Sequence, residues 1–150
     1  MTNAGTTVIL IRHAERFDVA PGDNDPHLSS AGQSRARLLV HVLNRANISA
    51  IYTSKRVRTQ ETARPLADAL GVSPLEGLDA LQIKKDILQN HSGQTVLVVG
   101  HTNTVPEVMK LLGADSGHDI DEHEFDNMFL ATVLGENIVR VTRLKYGDPS

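Results

Sequence analysis

Short apolar runs alternate with segments of helical period along this chain, the pattern of an α/β domain. Thr7 to Ile11 is β-branched and bounded by polar residues, which predicts a buried strand ending at Arg12-His13. A helix is predicted from Ser30, where Ser30 and Gln33 have capping-box spacing and Leu38, Leu39, Val42, Leu43 and Ala46 form an apolar stripe. Ile48 to Tyr52 predicts a second strand, followed by Thr53-Ser54. The next helix carries Arg58, Thr62, Leu66 and Leu70, stops at Gly71, and is expected to kink or break at Pro65. Gln82 to Gln89 is a weaker helical segment. Thr95 to Val99, apolar after its first residue, predicts a central strand ending in Gly100-His101. Thr104 and Glu107 then have capping-box spacing for a helix closed by Gly113. Phe129 to Leu134 and Ile138 to Leu144 predict a hairpin through Gly135-Glu136-Asn137. With no repeat or linker in sight, residues 1–150 are expected to form one domain.

Composition narrows what such a domain can do. Hydrophobic residues make up 40% and charged ones 22%, enough for a compact fold. At 3% aromatic and with no Trp, the core is aliphatic and stacking platforms for single-stranded nucleic acid are not expected. A net charge of −3 without a basic run argues against nucleic-acid backbone or acidic membrane as partner. The absence of Cys excludes disulfides, a thiol nucleophile and Cys-ligated zinc. Met1 to Gly5 lacks a basic leader, Val8 to Ile11 is too short for a signal core, and no apolar run is of membrane-spanning length. A cytoplasmic location is the expectation.

Three predicted strand ends carry the candidate chemistry: Arg12-His13, Ser54 leading into Arg58, and His101. In an open sheet with parallel strands these ends share one edge, where ligands bind. Taken singly, each residue reads as an ordinary hydrogen-bonded or solvated polar group. Together they suit a phosphoryl group, since each arginine fork binds two phosphate oxygens. Neighbouring cations also lower a histidine's pKa, and a neutral imidazole keeps a lone pair for attack on phosphorus. A second histidine can donate to an oxygen gaining charge, so that no metal cofactor is needed.

Four ordered blocks of the sequence resemble the histidine phosphatases, the phosphoglycerate-mutase-like superfamily. Val8 to Glu15 is similar to their strand and Arg-His-Gly signature, with Ala14 in place of Gly. Asp25 to Gly32 resembles their Leu-Thr-x-x-Gly segment, Thr53 to Ala63 their phosphate-gripping arginine motif, and Val98 to Pro106 the block around a second catalytic histidine. Glu124-Phe125-Asp126-Asn127 fits as well. The resemblance implies a three-layer α/β/α sandwich around a mixed, mostly parallel sheet. It implies His13 as a nucleophile that becomes phosphohistidine, with Arg12, Arg58 and His101 binding phosphate and the Thr102 amide adding a donor.

Departures from the pattern steer the expected reaction. Arg16-Phe17-Asp18-Val19 replaces the Glu and Trp-Asn of the mutases, and about forty residues separate Arg58 from His101, too few for a capping insertion. An open site admits water to a phosphohistidine and favours hydrolysis. Asp79 is the first candidate for the acid that protonates a leaving alkoxide, set against a turn or helix-cap role, with Glu15 and Glu76 behind it. Without such an acid, good leaving groups or phosphoramidates such as phosphohistidine become the expected substrates. The acidic loop His118 to Glu124 has no Gly at the calcium-loop turn position and reads as solvated, so no metal is assigned. The expected activity is a metal-independent phosphatase acting on a phosphorylated small molecule or phosphoprotein. A mutase-type phosphotransferase and a non-catalytic phosphate-binding module are the alternatives. Substrate-reading residues are expected in Phe17 to Leu28 and Ala114 to Asp126, and the sequence leaves substrate and oligomeric state open.

Overall fold

The computed structural model describes residues 5–18 and 20–150, so Val19 and most of the segment Met1 to Gly5 tested for a leader lie outside the described residues. Ten elements follow in order: β1 (Thr6–Arg12), α1 (Ser30–Leu43), β2 (Ile48–Thr53), α2 (Val57–Leu70), β3 (Leu75–Glu76), α3 (Ala80–Asn90), β4 (Thr95–Gly100), α4 (Thr104–Leu111), β5 (Asn127–Leu134) and β6 (Asn137–Lys145). The sheet order is β3-β2-β4-β1-β5-β6. β1, β2, β3 and β4 are mutually parallel where they pair, while β5 runs antiparallel to both β1 and β6.

Alternation along the central strands builds two cores, one on each face of the sheet. Val8, Leu10, Val96 and Val98 pack with Ile83 and Ile87 of α3 and with Val105, Val108 and Met109 of α4. Ile9, Ile11, Leu97 and Val99 pack on the other face with Leu39 and Leu43 of α1 and Ala63 and Leu66 of α2. The result is the three-layer α/β/α arrangement with a mixed sheet. Both faces of β1 and β4 are buried, which is why these two strands are apolar almost throughout.

Several local expectations shift. The α1 cap is Ser29, whose hydroxyl accepts from the Gly32 amide, while Gln33 reaches back to the Leu28 carbonyl. In the α1 stripe Leu39 and Leu43 are buried but Val42 is exposed, and the buried Arg35 occupies the face in its stead. α2 runs unbroken through Pro65, held on the sheet by Ala63, Leu66 and Ala67 on either side of the missing amide. Thr104 makes no capping box. It is the first helical residue of α4, and its hydroxyl accepts from the His101 amide at 2.8 Å. The hairpin turn is the pair Gly135-Glu136, with Leu134 opposite Asn137. Met128 and Phe129 are core residues.

Candidate active site

Register brings the chemistry together. β4 lies between β2 and β1, with Thr53 opposite Val99 and Arg12 opposite Gly100, so three parallel strands end level on one edge. The chain then delivers His13, Ser54 and His101 to that edge, and the His13 amide donates to the Gly100 carbonyl at 2.8 Å. Gly100 is required there because a Cβ would lie 2.6 Å from the Thr104 hydroxyl that holds the His101 backbone. Arg58 arrives from the first turn of α2. Asp25 anchors that turn, its carboxylate accepting from the Val57 amide at 2.8 Å.

His13 is 3% exposed. Its Nδ1 lies 2.8 Å from the Ala14 carbonyl oxygen. A carbonyl only accepts, so Nδ1 carries the proton and Nε2 keeps its lone pair. Burial pulls the His13 pKa down to about 3, with Arg12, His101 and Arg58 adding to the effect and the Ala14 hydrogen bond opposing it. The His101 ring stands edge-on to His13 at 5.3 Å between centroids. Its Nε2 is 2.9 Å from the Ser54 hydroxyl, which also sits 2.9 Å from Thr59 Oγ1. Burial followed by Arg58, Arg56 and Arg12 lowers the His101 pKa to about 4. Both rings are therefore neutral near pH 7.

Arg12 is fixed from behind. One terminal nitrogen donates to the Glu122 and Glu124 carbonyls at 2.6 and 3.0 Å, and its guanidinium carbon lies 4.0 Å from the Phe125 ring centroid. The Nε atoms of Arg12 and Arg58 are buried and have no partner among the described residues. Burial and neighbouring guanidiniums pull both arginines below the ordinary arginine pKa, with Arg16 the first such neighbour of each. A cleft of about 300 Å³ is lined by Arg12, His13, Arg16, Arg56, Arg58, His101, Thr102, Asn103 and Thr104. Among the described residues its lining holds four arginines and no carboxylate. Cations held together against mutual repulsion, two of them with unmet donors, make an anion site.

Residues 8–82 match the family model of the histidine phosphatase superfamily (branch 1). The chain belongs to that superfamily. A stretch of 69 residues is 39% identical to phosphoserine phosphatase 1 of Hydrogenobacter thermophilus. That stretch takes in 41% of this chain and 31% of the relative, so the match spans about a third of the relative's length. The fold is similar to that of the protein histidine phosphatase SixA complexed with tungstate, with a TM-score of 0.73 at 18% identity over 93% of this chain and 96% of that one. YhfR of Bacillus stearothermophilus gives a TM-score of 0.71 at 20% identity, over 97% and 98% of the two chains. The mycobacterial glucosyl-3-phosphoglycerate phosphatase gives 0.65 at 13%, over 95% and 98%. At these identities the likeness is one of fold.

Within this histidine phosphatase fold, Arg12, His13, Arg58, His101 and Thr102 share the cleft, whereas the three carboxylates weighed as acid do not line it. Asp79 is exposed and serves as the α3 cap, accepting from the Gln82 amide at 2.8 Å in a reciprocal capping box. Glu15 is engaged by Arg35 through two bonds of 2.8 and 2.9 Å. Glu76, at the end of β3, takes a 3.3 Å bond from Gln60. Arg16, Arg56, Asn103 and Thr104 were not assigned to the site from the sequence, where Thr104 was read only as a helix cap. Arg16 and Arg56 lie within three residues of His13 and Arg58, a proximity that offered a signal, but surface arginines are common and nothing local distinguished these two.

Proposed function

We propose that this chain is a metal-independent phosphatase that hydrolyses phosphomonoester or phosphoprotein groups through a phosphohistidine on His13. One observation carries the reading. The Ala14 carbonyl holds the His13 Nδ1 proton, which leaves Nε2 as a nucleophile beside two arginines with unmet donors. In the first step the Nε2 lone pair forms a bond to phosphorus as the phosphorus–oxygen bond to the leaving group breaks, its electron pair staying on the leaving oxygen, which takes a proton from solvent in the open cleft. Arg12 and Arg58 bind the non-bridging oxygens, and His101 with the Thr102 amide steadies the charge they gain. In the second step water attacks phosphorus, the phosphorus–nitrogen bond breaks with its electron pair returning to Nε2, neutral His13 is restored, and both water protons leave with orthophosphate or solvent.

Hydrolysis is favoured over a mutase-type transfer because the chain passes from Arg58 through α2, β3 and α3 directly to β4, with no insertion over the cleft. Positive charge comes from side chains, so hydrolysis of nitrophenyl phosphate is expected to survive excess chelator. The decisive test is His13→Ala. It should abolish turnover and the acid-labile phosphoryl label while vanadate binding persists through the two arginines. Undiminished turnover would refute the mechanism, and a parent protein that binds phosphate without turnover or label would be a binding module.

A further inference from the structure

Two features of the cleft remain unused by that reading. Arg16 and Arg56 line it yet pair with no carboxylate among the described residues, each donating only to a backbone carbonyl, Phe17 at 3.4 Å and Asn24 at 3.2 Å. Both stand among the charges that depress the neighbouring Arg58. One phosphoryl dianion bound by Arg12 and Arg58 leaves these two cations uncompensated. The second feature is the missing acid: no Asp or Glu among the described residues lines the cleft, and Asp79, Glu15 and Glu76 are hydrogen-bonded elsewhere. An alkoxide is a strong base whose conjugate alcohol is about as weak an acid as water, and it leaves poorly without a proton donor.

One kind of leaving group answers both features. We propose that the preferred substrate is a phosphoanhydride, whose terminal phosphoryl group is taken by His13 while Arg16 and Arg56 hold the departing phosphate. This rests on the phosphohistidine reading and names its substrate class. A departing phosphate that already carries one proton or one ester has a conjugate acid of pKa about 6 and leaves without further protonation. As the His13 Nε2–phosphorus bond forms, the bridging phosphorus–oxygen bond breaks and its electron pair stays on the departing phosphate, between the two guanidiniums. Water then cleaves the phosphorus–nitrogen bond, releasing orthophosphate and restoring neutral His13. The charge needed at the leaving group is thus supplied by cations already in place, with no proton transfer.

The test compares inorganic pyrophosphate, ethyl phosphate, phosphoglycolate and nitrophenyl phosphate on the full chain and on Arg16→Gln, Arg56→Gln and the corresponding Lys variants. Pyrophosphate should exceed ethyl phosphate in kcat/KM by roughly 10²-fold or more, the contribution usual for a proton donor that the ester lacks here. Phosphoglycolate, with a second charge but an alkoxide leaving group, should stay close to ethyl phosphate. Each Gln variant should lower the pyrophosphate-to-nitrophenyl phosphate ratio by about tenfold or more, in the range for loss of one hydrogen bond to a charged group, with Lys restoring part of it. Ethyl phosphate turned over as fast as pyrophosphate, or Gln variants that slow both substrates equally, would overturn the proposal. Preference for phosphoglycolate would replace it with a carboxylate subsite. Failure to hydrolyse even nitrophenyl phosphate would instead refute the underlying phosphatase reading.

Discussion

Arg35 offers a quantitative test of how the nucleophile loop is held. Its side chain is 4% exposed and donates four bonds: two to the Glu15 carboxylate at 2.8 and 2.9 Å, one to the Tyr146 carbonyl at 2.6 Å and one to the Asp148 carbonyl at 2.8 Å. Glu15 lies two residues beyond His13, and its carbonyl accepts from the Ser29 amide that opens α1. Arg35→Leu strands a carboxylate that is 21% exposed and leaves two carbonyls without their donor. Removing one partner of a buried pair costs about 3–5 kcal/mol. Partial solvation of Glu15 places the expectation near the low end, about 3 kcal/mol, or a fall in Tm of roughly 6–12 °C for a chain of this size. The measurement is urea and thermal unfolding of Arg35→Leu, Glu15→Gln and the double variant, with kcat on nitrophenyl phosphate alongside. The pair should show coupling of about 1 kcal/mol or more in the double-mutant cycle. Burial pushes the Glu15 pKa up, but the Arg35 bonds outweigh it and hold the carboxyl below its ordinary value, so the stabilisation is present above the unfolded value of 4.5 and is lost as pH falls below it. The difference between parent and Arg35→Leu should narrow in that acid range. A variant within about 0.5 kcal/mol of the parent at neutral pH would refute the assigned role.

Two further outcomes follow from the site. In the free protein, His13 and His101 should stay neutral through pH 5 by NMR and protonate only near their lowered values of about 3 and 4. The unfolded chain takes up these protons first, so their contribution to stability is whole above about pH 6.5 and declines as pH falls toward the folded values; titration near 6.5 in the folded protein would contradict the burial argument. Gly32→Ala should destabilise by about 1–3 kcal/mol and lower kcat, because a Cβ there would lie 1.9 Å from the Glu15 carbonyl oxygen, overriding the roughly 1 kcal/mol that Ala gains in a helix. A Gly32→Ala variant that is more stable and fully active would show that the approach is not limiting.

The central strands and the residues at their ends were written in local sequence. Val8 to Ile11 and Val96 to Val99 are apolar on both alternating faces, which only a strand buried on both sides requires, so Arg12-His13 and Gly100-His101 had to lie at strand ends. That these ends meet was a matter of sheet order: β2, β4 and β1 are adjacent through pairings such as Ile48 with Thr95 and Thr7 with Thr95, and no short window of sequence contains them. Tertiary structure also decided between competing local roles. Asp79 suited an acid or a cap by residue type, and in α3 its carboxylate accepts from the Gln82 amide in a capping box. Arg35, on which the sequence pattern placed no role, is buried because Glu15 and the carbonyls of Tyr146 and Asp148 close around it. Arg16 and Arg56 became cleft residues for the same reason. Periodicity and capping are properties of neighbours in sequence, whereas the worth of a charge depends on which distant groups desolvate and face it.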